Sequence, residues 1–182
     1  MTHYVIFTAD VQLLQITKLR QALIDAVNGG ATEIYLAISS GGGLVVEGLS
    51  IAAILRSLPV EVTTHNIGQT DSVANVIFAS GKKRVSNSTA SFLFHGVTQP
   101  LNNIVCTENQ LADIHKSVVR SRETIAANIA SYTGIPATDI NTLMMSGDTI
   151  LTAQEALTKT LIHEVTEFSM PPGAKFTCIG NA

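Results

Sequence analysis

The chain has 182 residues, 46% of them apolar and only 14% charged, with a formal net charge of −3. One domain of this length buries most of its surface without staples, and the composition excludes a disordered chain, which needs few apolar residues and a high net charge. The weak acidic balance supplies no basic field for nucleic acid, no run of 18 apolar residues implies a membrane partner, and Met1-Thr2-His3-Tyr4-Val5-Ile6-Phe7 lacks the basic and long apolar regions of a signal peptide.

Tyr4 to Thr8 is predicted as a buried strand, short, β-branched and aromatic. Asp10 is placed to cap a helix carrying Leu13, Leu14, Ile16, Leu19, Leu23, Ala26 and Val27, which Gly29-Gly30 ends. Glu33 to Ile38 forms a second strand, Ser39-Ser40-Gly41-Gly42-Gly43 a glycine loop, and a helix from about Leu44 stops before Pro59. Val60 to Asn66 alternates as a strand, Ile67 to Asp71 turns, and Ser72 to Ser80 is a short apolar helix ended by Gly81. Lys82-Lys83-Arg84 is expected in a solvated turn, ahead of a strand over Ala90 to Phe94.

Thr107-Glu108-Asn109-Gln110 is a capping-box signature opening the longest helix, to about Tyr132, closed by Gly134 and striped by Leu111, Ile114, Val118, Ile125, Ile129 and Tyr132. Thr152-Ala153-Gln154-Glu155 caps a last short helix, a short strand lies near His163 to Val165, and Phe168 to Ala182 is an extended tail to a core of residues 1–167. Strands alternating with helices predict a single α/β domain with a mainly parallel sheet. Two cysteines, Cys106 and Cys178, are too few for a disulfide framework and suit a reducing cytoplasm as free thiols. A charged share well below the usual ~25% points to surface covered by other subunits.

Ligands of α/β sheets bind beyond the carboxyl ends of strands, so two strand-to-helix loops are the candidates. Ser39 to Gly43 is either a tight turn or an anion-binding loop. It is not a standard nucleotide loop, because no Walker lysine follows and Val46 stands where a dinucleotide fingerprint needs glycine. In Gly68-Gln69-Thr70-Asp71-Ser72, Ser72 is either a helix cap or a hydroxyl presented beside free backbone N–H groups. His3, His65, His95, His115 and His163 have no metal-ligand spacing, and no metal or cofactor is expected. His95 closes an apolar strand, His65 is a reserve base at a strand end, His115 faces water or a partner, and Asp148 is by itself a turn residue.

Taken together, four segments resemble the proteolytic subunit of the Clp protease family, in order and nearly without gaps from Tyr4 to Val165. Ile38-Ser39-Ser40-Gly41-Gly42-Gly43 with Gly48 and Ile51 is similar to that family's glycine loop. Gly68 to Ala74 is similar to its nucleophile turn, Asn87-Ser88 with Phe92-Leu93-Phe94-His95 to its histidine segment, and Asp148 to Ala156 to its aspartate segment.

The resemblance implies a Clp protease/crotonase-like ββα superhelix with a protruding handle helix. It also implies a serine endopeptidase with Ser72 as nucleophile, His95 as base and Asp148 as orienting acid. The backbone N–H groups of Gly43 and Val73 would form the oxyanion hole, and Gly42 and Leu44 would bind substrate. It further implies a homo-oligomeric ring, single or in a stacked pair, acting on peptides or unfolded polypeptide.

The departures from the family pattern are Gly41 for its loop proline, Val73 and Ala74 for methionine and glycine, and Asp71 for a small apolar residue. A carboxylate at Asp71 either repels a developing oxyanion or points away from it. Because the chain begins almost at its first strand, the segment by which the family engages an ATP-driven unfoldase is expected to be absent, and the resemblance does not by itself imply that partner. Two rival readings are a catalytically silent ring subunit and a crotonase-like acyl-CoA enzyme.

Overall fold

The computed structural model describes residues 1–101 and 105–181. In chain order it contains β1 (Thr2–Thr8), α1 (Leu13–Asn28), β2 (Glu33–Ser40), α2 (Val45–Ser57), β3 (Glu61–Asp71), α3 (Ala74–Ala79) and β4 (Lys83–Ser86). There follow β5 (Ser91–Phe94), α4 (Glu108–Thr133), α5 (Ala137–Met145), β6 (Thr149–Thr152), α6 (Ala153–Thr158), β7 (Glu164–Val165) and β8 (Lys175–Gly180). One sheet runs β6-β5-β3-β2-β1-β8, with β4 and β7 branching from β3. Every pairing is parallel except β5 with β6, as crossover helices between successive strands require.

Burial follows the sequence pattern. Ile34, Leu36, Ala37 and Ile38 of β2 are all fully buried, the mark of a central strand covered on both faces. Ile16, Leu19 and Leu23 of α1, Ile51 and Leu55 of α2 and Phe78 of α3 join Val5, Phe7 and Phe92 in one core. Phe78 and Phe92 meet edge to face at 5.1 Å. Gly48 exists because α2 lies on α3 here: a Cβ at Gly48 would come within 2.4 Å of the Val73 side chain.

The structure corrects several expectations. Residues 67–71 do not turn but continue β3, because this strand takes two successive partners on one edge: β4 along Thr63–Asn66 and β5 along Gln69–Asp71. The chain passes Gly68 between them where its β2 register also shifts, and a Cβ there would lie 2.8 Å from the Ser39 hydroxyl. His65 is accordingly in mid-strand and fully buried rather than at a strand end. Asp10 does not cap α1, whose N-cap is Gln12 without a side-chain bond; the Asp10 N–H instead donates to Asn181 at 3.0 Å.

Lys83 and Arg84 belong to β4, and Arg84 is buried. Its guanidinium donates to the carbonyls of Leu161 (2.7 Å), Gly81 (3.2 Å) and Tyr132 (3.4 Å). These carbonyls sit at or just beyond the ends of α6, α3 and α4, where helices leave oxygens unsatisfied and the dipole favours a cation. The helix α5 and strand β6 escape the sequence reading, and residues 175–180 of the expected tail form the edge strand β8 on β1. The last residue of that tail, 182, lies outside the described residues.

The helix α4 has the expected capping box at Thr107 and a left-handed Gly134 at its end (φ 81°). At 26 residues it is about 39 Å long. Its stripe is buried at Ile125 and Ile129, while Leu111 near the other end is 56% exposed, so the helix leaves the body as a handle.

Candidate active site

The strand β3 ends at Asp71, and the Ser72 N–H donates to the Leu93 carbonyl at 2.9 Å, carrying the β3–β5 ladder one residue further. Ser72 then adopts φ 56°, a left-handed conformation that a non-glycine residue holds only when its surroundings enforce it. The enforcing contacts come from the glycine loop. Gly42 has φ 84°, and a Cβ on it would strike the Asp71 carbonyl at 2.6 Å and the Ser72 Cβ at 2.8 Å. Gly43 has φ 144°, with its backbone pressed on Val11, which is bonded on both sides of it by Val11 N–H to Gly42 O (2.7 Å) and Leu44 N–H to Val11 O (2.8 Å). Glycine is required at both positions, because the loop carries backbone directly onto the serine.

Among the described residues, neither the Gly43 N–H nor the Val73 N–H donates a hydrogen bond. Val73 opens α3, where the first N–H groups have no helical acceptor. Two free donors thus flank Ser72, one from each loop. Leu44 is 47% exposed beside Gly43.

The strand register brings the remaining candidates to the same edge. The strand β5 lies between β3 and β6. Asp71 pairs with Leu93, and Leu93 with Ile150; Phe94 pairs with Thr149, so the next opposed pair is His95 with Asp148. Ser72, His95 and Asp148 therefore stand at the ends of three neighbouring strands. No hydrogen bond joins the three among the described residues. His95 is half-buried and its Nδ1 lies 2.6 Å from the Gly96 carbonyl. A carbonyl only accepts, so Nδ1 carries the proton and Nε2 of the neutral ring keeps its lone pair. Asp148 is exposed in the bend before β6.

Other polar groups near this edge are committed, except Asn75 Oδ1, which is buried without a hydrogen-bond partner. Asn75 donates from Nδ2 to the Leu93 carbonyl at 2.8 Å, and its own N–H donates to the Ser72 carbonyl at 3.1 Å, so it ties the serine turn to β5. Sequence reasoning missed it; a buried amide in the apolar run Val73 to Ala79 was the available signal. Asn66 bonds Thr70, the Ser91 carbonyl and the Gly68 N–H, bracing the passage of β3 past Gly68. His65, the reserve base, has both ring nitrogens occupied: Nδ1 with the Tyr35 hydroxyl at 2.7 Å and Nε2 with Asn87 Oδ1 at 2.9 Å. Burial lowers its pKa below the ordinary histidine value and raises that of Tyr35 to about 12. Lys83 is paired with Glu164 at 2.8 Å, and His115 is exposed on α4.

A left-handed serine thus stands at the carboxyl end of a parallel strand, flanked by free N–H groups, with a histidine and an aspartate at the ends of the next two strands. The chain belongs to the Clp protease family, whose model matches residues 6–169. Among solved structures it is similar to a ClpP1 mutant from Listeria monocytogenes, with a TM-score of 0.79 at 20% identity over 91% of each chain. The fold is thus the Clp protease/crotonase-like α/β fold, in a family of serine peptidases that act on polypeptides as oligomeric rings. No helix among the described residues is long and apolar enough to cross a membrane.

Proposed function

We propose that the chain is a serine endopeptidase in which Ser72 is the nucleophile, His95 the general base and Asp148 the acid that orients it. The observation that supports the reading is the β3–β5–β6 register, which pairs Asp71 with Leu93 and Phe94 with Thr149, the chain neighbours of Ser72, His95 and Asp148. In the reaction the Ser72 hydroxyl attacks the peptide carbonyl and its proton passes to Nε2 of His95. The carbonyl oxygen becomes an oxyanion that accepts from the Gly43 and Val73 N–H groups. His95 returns the proton to the leaving amine as the C–N bond breaks, and water then releases the acyl group by the same route. Asp148 would swing from its exposed bend to take the Nδ1 proton that Gly96 now accepts.

Gly42 and Leu44 border the substrate, whose backbone would run along the glycine loop. The assembly is a ring of at least six copies, single or stacked in pairs through α4, and the site faces its interior. Such an enclosure admits unstructured peptides and spares folded proteins, whose ~5–15 kcal/mol of stability keeps them closed. An ATP-driven unfoldase would extend the range to folded substrates. Free Cys106 and Cys178 fit a reducing cytoplasm.

The test is mass spectrometry of the assembled chain after treatment with a fluorophosphonate. One adduct on Ser72, absent from Ser72→Ala, is expected. An unlabelled parent chain, or equal labelling of Ser72→Ala, would overturn the assignment.

A further inference from the structure

His95 has a carboxylate on each side, and only one of them belongs to the triad proposed above. Side chains alternate across a pleated sheet, and directly opposed residues share a face. Thr70, Phe92, Phe94 and Leu151 point into the core and are buried. Asp71, Leu93, His95, Ile150 and Asp148 therefore share the opposite, open face, and β5 is the middle strand. On that face Asp71 is beside Leu93 and one diagonal step from His95, approaching from the β3 side as Asp148 does from the β6 side.

We propose that Asp71 is a positioning residue for His95: a second carboxylate, acting through its charge alone, that holds and offsets the imidazolium formed when His95 takes the Ser72 proton. This rests on the reading of Ser72 and His95 given above. Asp71 is half-buried whereas Asp148 is exposed, so water screens the Asp71 charge less. Burial pushes the Asp71 carboxyl above the usual carboxylate range, while the Leu93 backbone and the His95 charge draw it back. Of the neighbouring elements, β5 presents His95 and the bend before β6 presents Asp148. The glycine loop carries no charge of its own, although Asp10 stands against Gly41, and α3 has no charged residue. The carboxylate that departs from the family pattern is thereby given a role in the reaction.

Two measurements on the assembled full chain test this. In the first, Asp71→Asn keeps the shape and an oxygen acceptor but loses the charge. Its first-order labelling constant with fluorophosphonate should fall at least tenfold, with the half-saturating concentration and thermal midpoint unchanged, and Asp71→Glu should recover part of the loss. In the second, carbon-13 resonances of aspartate carboxyls are followed through acid in the parent and in His95→Gln. The Asp71 midpoint should rise further once the imidazole is removed, whether or not Ser72 reacts. Labelling of Asp71→Asn at the parent rate, or an Asp71 midpoint indifferent to His95, overturns the proposal. A parent chain that takes no label but shows the coupled midpoint would sink the peptidase reading while the Asp71–His95 pairing stands.

Discussion

His65 and His95 sit on neighbouring strands of the same sheet in opposite chemical states. His65 is fully buried, and Asn87 Oδ1, which also accepts the Phe168 N–H at 2.8 Å, forces the proton onto its Nε2. Its Nδ1 then accepts from the Tyr35 hydroxyl. Phe168 and Tyr35 pack on it, with ring centroids at 5.5 and 5.8 Å, and Tyr4 packs in turn on both of those rings. His95 is half-exposed, carries its proton on Nδ1 toward Gly96, and has Nε2 free. A histidine with both nitrogens satisfied is a cross-link; one with a bare nitrogen at a strand end is open to a further partner. The difference lies in what the neighbouring strands offer, which is invisible in the residue itself.

The sharpest way to break this contrast is to remove each ring. His95→Ala should lower peptide turnover by ~10³-fold or more, because triad members act as a unit, while His65→Ala should keep its turnover wherever it remains folded. Fluorogenic peptide assays below the melting transition decide it, and loss of activity in a folded His65→Ala would dissolve the distinction. On stability the order reverses. His65→Ala leaves a cavity at a fully buried position and strands the half-buried Tyr35 hydroxyl, and should cost about 2–4 kcal/mol in urea unfolding, whereas His95→Ala should change it by less than about 1 kcal/mol.

A finer cut is Tyr35→Phe, which removes only the donor to Nδ1. It should cost about 1–2 kcal/mol and leave fluorophosphonate labelling of Ser72 unchanged. The smallest effect is in pH. His65, His3 and His163 are all held below the ordinary histidine value, chiefly by burial. Between the unfolded value near 6.5 and those lower folded values, the unfolded chain binds more protons than the fold. Their contribution to stability is therefore complete above about pH 6.5 and is lost as the pH falls through the folded values. Replacing His65 with asparagine should flatten that slope in thermal scans between pH 7 and 5.

The alternation of strands and helices was legible because it rests on local periodicity: β1, α1, β2, α2 and α4 stand within a few residues of their predicted bounds. The site was legible only as separate motifs, since Ser72, His95 and Asp148 are joined by pairings of β3, β5 and β6 that no local pattern encodes. The same reason explains the misses. Gly68 looks like a turn until β3 is seen changing partners there, and Lys82-Lys83-Arg84 looks solvated until three helix ends converge on Arg84. Asp71 departs visibly from the family pattern, but only the pleat tells which way it faces.

The strand β8 adds a constraint of timing. Residues 175–180 are the parallel neighbours of 3–8, so β1 is synthesised long before the strand that covers its outer edge. Until then β1 presents a row of unpaired N–H and C=O groups beside Tyr4 and Ile6, the kind of edge that recruits other chains. Closing so long a loop adds little free-energy cost beyond a loop half its length, because that cost grows only logarithmically. The burden falls on synthesis, where nascent chains must be kept apart until β8 arrives.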